Sequence, residues 1–135
     1  MAFGLAVDVG STTIAAHLCD LVSGEVVASA GRMNPQIRFG EDLMSRVSYS
    51  MMNAGGAAQM TAAVREALSE LAAEVSASAG IDKESILEVT LVGNPIMHHL
   101  VLGIDPVELG GAPFALAIDR AVTVTAAELD IALHP

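Results

Sequence analysis

The segment Asp8-Val9-Gly10-Ser11-Thr12-Thr13 sets a carboxylate, a glycine and three consecutive hydroxyl residues side by side. It ends a short apolar run, Phe3 to Val9, that reads as a buried strand, and a second strand, Thr13 to Leu21, follows at once. A turn of this make-up can hold an anion. Gly10 lets the backbone approach a phosphate, successive N–H groups can converge on one oxyanion, and the hydroxyls of Ser11, Thr12 and Thr13 add donors. Asp8 can hold Mg²⁺, directly or through its waters. A Walker loop needs Gly-Lys-[Ser/Thr] and leads into a helix; here the lysine is missing and the chain leads into a strand.

The plainer reading is a polar hairpin turn, since Asp and Gly are common in turns. Against it stands the expected burial of Asp8, because an unpaired carboxylate in an apolar strand is costly and calls for a cation or donors. A second candidate element is Gly93-Asn94, which closes the apolar run Ile86 to Val92. Asn94 suits an N-cap and Pro95 a first helical residue, so a short helix is expected through Met97, Leu100 and Val101 to Gly103, with its anion-favouring end beyond the strand. Plain capping accounts for Asn94 as well as contact with a phosphate or water does, and Gly93 reads equally as a strand terminator.

Asn34, Gln36, Glu41, Asp42 and Arg46 form a polar cluster whose bland reading is a solvated loop with a helix cap. His98 and His99 are neighbours on a helix, where side chains diverge by about 100°, so they do not readily share one metal ion; one packed and one exposed histidine are expected. Met44, Met51, Met52, Met60 and Met97 read as core filling, and Cys19 as buried and inert.

The elements that must position these residues follow from periodicity. Ser23-Gly24 is a turn signal before a third strand, Glu25 to Gly31, which gives an antiparallel meander. Leu43, Val47 and Met51 mark a first helix; Met60, Val64, Leu68, Leu71 and Val75 mark a second, closed by Gly80. The strand at Ile86 to Val92 is expected to be buried on both faces and parallel to a neighbour. Residues 104–135 carry turn signals at Asp105-Pro106 and Gly110-Gly111 and a helical pattern from Thr125 to Leu133. The β-β-β-α-β-α order implies an α/β fold, a mixed sheet with helices on its faces, as in ribonuclease-H-like folds.

Composition narrows the function classes. At 135 residues one domain is the default. Hydrophobic residues make up 53% and aromatic ones only 3%, so small aliphatic side chains must fill the core. Sixteen acidic residues against six basic ones give a net charge of −10, which disfavours nucleic acid and anionic membranes as partners. An acidic chain that holds a nucleotide needs a local positive field. Cys19 is the one cysteine, so no disulfide or cysteine-ligated cluster can be built from this chain alone, and the cytoplasm is the natural compartment. The apolar N-terminus lacks a basic region and is interrupted by Asp8 well short of the roughly 20 residues of a bilayer span.

Gly4 to Asp20 resembles the first phosphate motif of the superfamily of actin, sugar kinases and the large heat-shock chaperones, in which Asp-x-Gly-[Ser/Thr]-Thr joins two strands. Asn34-Pro35-Gln36 with Phe39-Gly40-Glu41-Asp42 and Ser45-Arg46, then Val92-Gly93-Asn94 with Met97-His98-His99-Leu100 and Leu102-Gly103-Ile104, are similar to ATP-dependent reductive activators of corrinoid proteins. Together these stretches span most of residues 4 to 114.

The resemblance implies a ferredoxin-type protein with an actin-like ATPase domain that uses ATP in reducing Co(II) corrinoid to Co(I). Residues 1 to 135 would form the first lobe, a half-domain; the second lobe and the ferredoxin part with its iron–sulfur cluster would lie elsewhere. Asp8 would be the catalytic and Mg²⁺ residue, Gly10, Ser11, Thr12, Thr13, Gly93 and Asn94 would contact ATP, and Asn34, Gln36, Asp42 and Arg46 would face the cleft or a partner. A corrinoid protein or corrinoid methyltransferase is the implied partner, and a homodimer an implied assembly. Other readings are a small-molecule kinase, an activator of a radical dehydratase, or a non-catalytic interaction module.

Overall fold

The computed structural model describes residues 2–103, 123–124, 127–129 and 131. Three strands come first, β1 (Phe3–Val9), β2 (Thr13–Asp20) and β3 (Val26–Met33), and pair as an antiparallel meander. A 3-10 turn (Pro35–Phe39) leads to helices α1 (Leu43–Met52) and α2 (Gly56–Ala79). The chain then returns as β4 (Ile86–Gly93), parallel to β1, and α3 (Pro95–Leu102). The result is a mixed α/β fold on a four-stranded sheet of order β3-β2-β1-β4.

Alternation within the strands decides which way the sheet faces. Leu5, Val7 and Val9 of β1 and Ile14, Ala16 and Leu18 of β2 are buried at 5% exposure or less. On the same side, Met60, Val64, Leu68, Leu71 and Val75 form the inward stripe of α2, with Ala63, Ala67 and Ala72 letting the helix lie close. Buried hydrophobic residues from the sheet and from all three helices belong to one cluster. Arg32 on β3 pairs with Glu70 and Glu74 on α2, tying strand to helix at the surface.

The opposite face carries Ala6, Asp8, Thr13, His17, Ser29, Gly31, Thr90 and Val92, all exposed. Helices were expected on both faces of the sheet; among the described residues only one face is covered. For the same reason β4 is parallel as expected but not buried on both sides: Ile86 is buried, Val89 and Leu91 are half-buried, and Leu87 and Val92 are 53% and 57% exposed. Of the five methionines expected in the core, Met60 and Met97 are there; Met44, Met51 and Met52 are 48%, 58% and 83% exposed because α1 is short and turns only its Val47 side inward. Cys19 is half-buried rather than buried. Ala127–Leu129 form a 3-10 turn, with Leu129 and Ile131 in the core; the rest of the helix expected at 125–133, and the turns expected at 105–106 and 110–111, lie outside the described residues. No described helix is long and apolar enough to cross a membrane.

Leu71 is fully buried at the centre of α2. Leu71→Ala is expected to cost about 2–5 kcal/mol through lost transfer energy and a residual cavity; a urea titration should show the midpoint falling at unchanged slope.

Candidate functional site

Parallel pairing aligns Asp8 with Val92 and Val9 with Gly93, so β1 and β4 end together at one edge of the sheet. The β1–β2 turn and the N-terminus of α3 are therefore brought together beyond the carboxyl ends of two parallel strands, the usual place for a ligand in an α/β sheet.

The turn itself is tighter than its sequence suggests. The Gly10 N–H donates to the Thr13 carbonyl at 3.1 Å, so that donor is spent within the turn and cannot join its neighbours on an oxyanion. A Cβ at Gly10 would lie 2.5 Å from the same carbonyl oxygen, so the glycine is required by the chain's own backbone before any ligand arrives. The N–H groups of Ser11 and Thr12 have no acceptor among the described residues. Thr12 and Thr13 are exposed and Ser11 is half-buried.

Asp8 is exposed, against the expectation of burial, because the two-residue alternation of β1 places it on the open face of the sheet. No desolvation penalty therefore argues for a cation there. The observation that matters is accessibility: no described residue donates a hydrogen bond to its carboxylate. Across the edge, a Cβ at Gly93 would meet the Val9 carbonyl at 3.0 Å, so glycine allows the two strand ends to close up. Asn94 caps α3 through its Oδ1, which accepts from the Met97 N–H at 3.0 Å; only its Nδ2 is left to reach outward.

The polar cluster after β3 is a solvated loop only at Glu41 and Asp42, which are exposed. Asn34, Gln36 and Arg46 are each 0% exposed. Asn34 Nδ2 donates to the Gly10 carbonyl at 2.9 Å and its backbone N–H donates to Thr12 at 2.8 Å. Gln36 Nε2 donates to the Met60 carbonyl at 2.9 Å and its Oε1 accepts from Arg46 Nη1 at 3.3 Å. Arg46 also donates through Nε to Gly40 at 2.8 Å and through Nη2 to the Ser11 carbonyl at 2.5 Å, with Met97 Sδ at 3.6 Å from Nη1. Burial pulls the Arg46 guanidinium below its ordinary pKa, which the Asp42 carboxylate partly offsets, and it stays charged at neutral pH.

Asp42 is exposed and caps α1, accepting from the Ser45 N–H at 2.7 Å. Periodicity could have found Arg46, since it stands three residues after Leu43 and beside Val47 on the inward stripe; its charge argued for the surface instead. His99 is buried, with Nδ1 at 2.7 Å from the Pro95 carbonyl, and His98 is half-buried rather than exposed. Among the described residues no three His, Cys, Asp or Glu side chains come together as a metal site.

Gly10→Ala is expected to destabilise the fold by about 1–3 kcal/mol, the usual cost of overpacking, read by urea unfolding. The Asp42 carboxyl is held below its ordinary value of 3.8, first by the Ser45 N–H. A lowered folded pKa means that the cap's contribution is complete above 3.8 and is lost as pH falls through the lower value. Carboxyl NMR should show that low titration, and the Ser45 amide should lose protection over the same pH range.

A family profile described as RACo middle region matches residues 3–135. The chain is similar to "Corrinoid activation enzyme RamQ" of Eubacterium limosum, 31% identical over 133 residues, covering 98% of this chain and 22% of that protein. Among solved structures, "Reductive activator for corrinoid,iron-sulfur protein" superposes with a TM-score of 0.96 at 37% identity, covering 99% of this chain and 21% of that one. The sequence thus spans about a fifth of the length of each relative, and over that span the chain belongs to the RACo middle region family.

Proposed function

We propose that this chain is the first lobe of an actin-like, ribonuclease-H-like ATPase domain and holds the Mg²⁺–phosphate end of ATP within a longer reductive activator. The observation that carries this reading is the pairing of an accessible, unpartnered Asp8 carboxylate with the unengaged N–H groups of Ser11 and Thr12, next to the capped end of α3. That donor set fits a phosphate with its metal: backbone N–H groups for the oxyanion, one hard oxygen ligand for Mg²⁺. Bound Mg²⁺ supplies charge neutralisation and orientation of the phosphates. The chain's own part is to bind and orient, through Asp8, the turn Gly10 to Thr13, and the Gly93-Asn94 strand end.

The names of both relatives point to a corrinoid protein as the partner of the longer protein, which would act in the cytoplasm. Remaining nucleotide contacts, and the iron–sulfur cluster that Cys19 alone cannot hold, fall to the rest of that protein. ATP would favour a closed arrangement of two lobes and so alter engagement with the corrinoid protein, as differential affinity for two states requires.

Asp8→Ala in the full-length protein tests this. Because the side chain is exposed and unpartnered, stability should change by no more than about 0.5 kcal/mol. ATP-dependent formation of Co(I), followed by its absorbance, should drop at least about tenfold, as removal of a group supporting a metal typically does. Unchanged ATP-dependent activation by a folded variant would overturn the assignment and favour an interaction module.

A further inference from the structure

We propose that Asn34 and Arg46, outside the turn and buried beneath it, make Ser11 and Thr12 an anion receptor, with the ligand phosphate as the counter-ion of Arg46. The proposal rests on the phosphate reading above. It begins with three consecutive carbonyls. Gly10 is held by Asn34 Nδ2, Ser11 by Arg46 Nη2, and Thr12 by the Asn34 backbone N–H. A trans peptide is planar, with its C=O and the following N–H pointing in opposite directions. Fixing the Gly10 carbonyl on Asn34 thus turns the Ser11 N–H away from the buried network, and fixing the Ser11 carbonyl on Arg46 does the same for Thr12. These are the N–H groups left without an acceptor among the described residues.

Charge points the same way. Every hydrogen bond of Arg46 ends on a neutral acceptor: Gly40, Gln36, Ser11 or Met97. Among the described residues the ion pairs belong to Arg32, and none reaches Arg46. The exposed Asp42 carboxylate offsets the burial of Arg46 only in part and without ion-pair contact, and a buried cation so little compensated is costly. Here the guanidinium polarises the Ser11–Thr12 peptide, and hydrogen bonds linked through one polarised group strengthen each other. A phosphate on the Thr12 N–H would then meet the charge of Arg46 relayed through one peptide unit. In a chain with a net charge of −10, this is the local positive field that an anionic ligand needs.

A purely structural staple would affect all ligands alike, so the test compares ligands with and without phosphate. Calorimetry on the full-length protein should use Mg·ATP and adenosine with wild type, Arg46→Lys and Asn34→Asp. Asn34→Asp keeps the Oδ1 that accepts from the Gln36 N–H and the backbone N–H to Thr12, but replaces the Nδ2 donor on Gly10 with a carboxylate oxygen and adds a negative charge behind the turn. The Kd for Mg·ATP should rise at least about tenfold in each folded variant, the scale of one charge-assisted hydrogen bond, while adenosine binding stays within about twofold of wild type. Equal losses for both ligands, or Mg·ATP binding at the wild-type level, would overturn the proposal. If Arg46→Lys fails to fold, hydrogen exchange on wild type decides. Hydrogen exchange on wild type is an independent check: Mg·ATP must protect the Ser11 and Thr12 amides, and no protection sinks the proposal even where Mg·ATP binds. Failure of wild type to bind Mg·ATP at all would instead overturn the phosphate reading itself.

Discussion

The parallel pairing of β4 with β1 is the constraint on which the rest depends. Parallel neighbours cannot be joined by a short turn, so the chain between β3 and β4 must cross the sheet, and it does so as α1 and α2. That crossover supplies the helical half of the core. The same pairing places Val9 opposite Gly93, so one register fixes both the packing of α2 and the meeting of the two strand ends. Core and candidate site are two outcomes of one alignment.

Beneath the site, the fold departs from a purely apolar interior. Asn34, Gln36 and Arg46 occupy space that Leu or Met could fill, and a polar network of this kind is tolerable only when its members are satisfied. It links four separate stretches: the β1–β2 turn, the 3-10 turn, α1 and the Met60 carbonyl on α2. The helix that carries Arg46 is itself started by Asp42, so a surface cap helps set the direction of a buried cation. The turn is thus shaped from behind by groups distant in sequence.

Much of this was legible beforehand, for physical reasons that differ by element. The meander and α2 follow from period-two and period-four apolar spacing, and the α3 start from Asn94-Pro95, because these are local signals. The exposure of Asp8 and of β4 was misjudged since apolar strand residues say nothing about whether a second layer covers them. Arg46 was placed in the polar cluster but not in the core, because a charged side chain is ordinarily outside. Gly10 was expected to serve a ligand, whereas its first duty is to Thr13, a contact that exists only once the turn closes.

The edge position of β4 also bears on how the chain behaves in concentrated solution. Its sequence ILEVTLVG has Glu88 as its sole charge and no proline, and among the described residues its outer backbone groups face no partner. Natural edge strands are usually guarded by charge, proline or a bulge against pairing with another molecule. This one is guarded near its start, by Glu88 and by the register shift that leaves Leu87 without a partner on β1, and is unguarded from Val89 onward. Produced on its own, the segment would begin to self-associate here, and a lysine in place of the exposed Leu87 or Val92 would be the natural solubilising change.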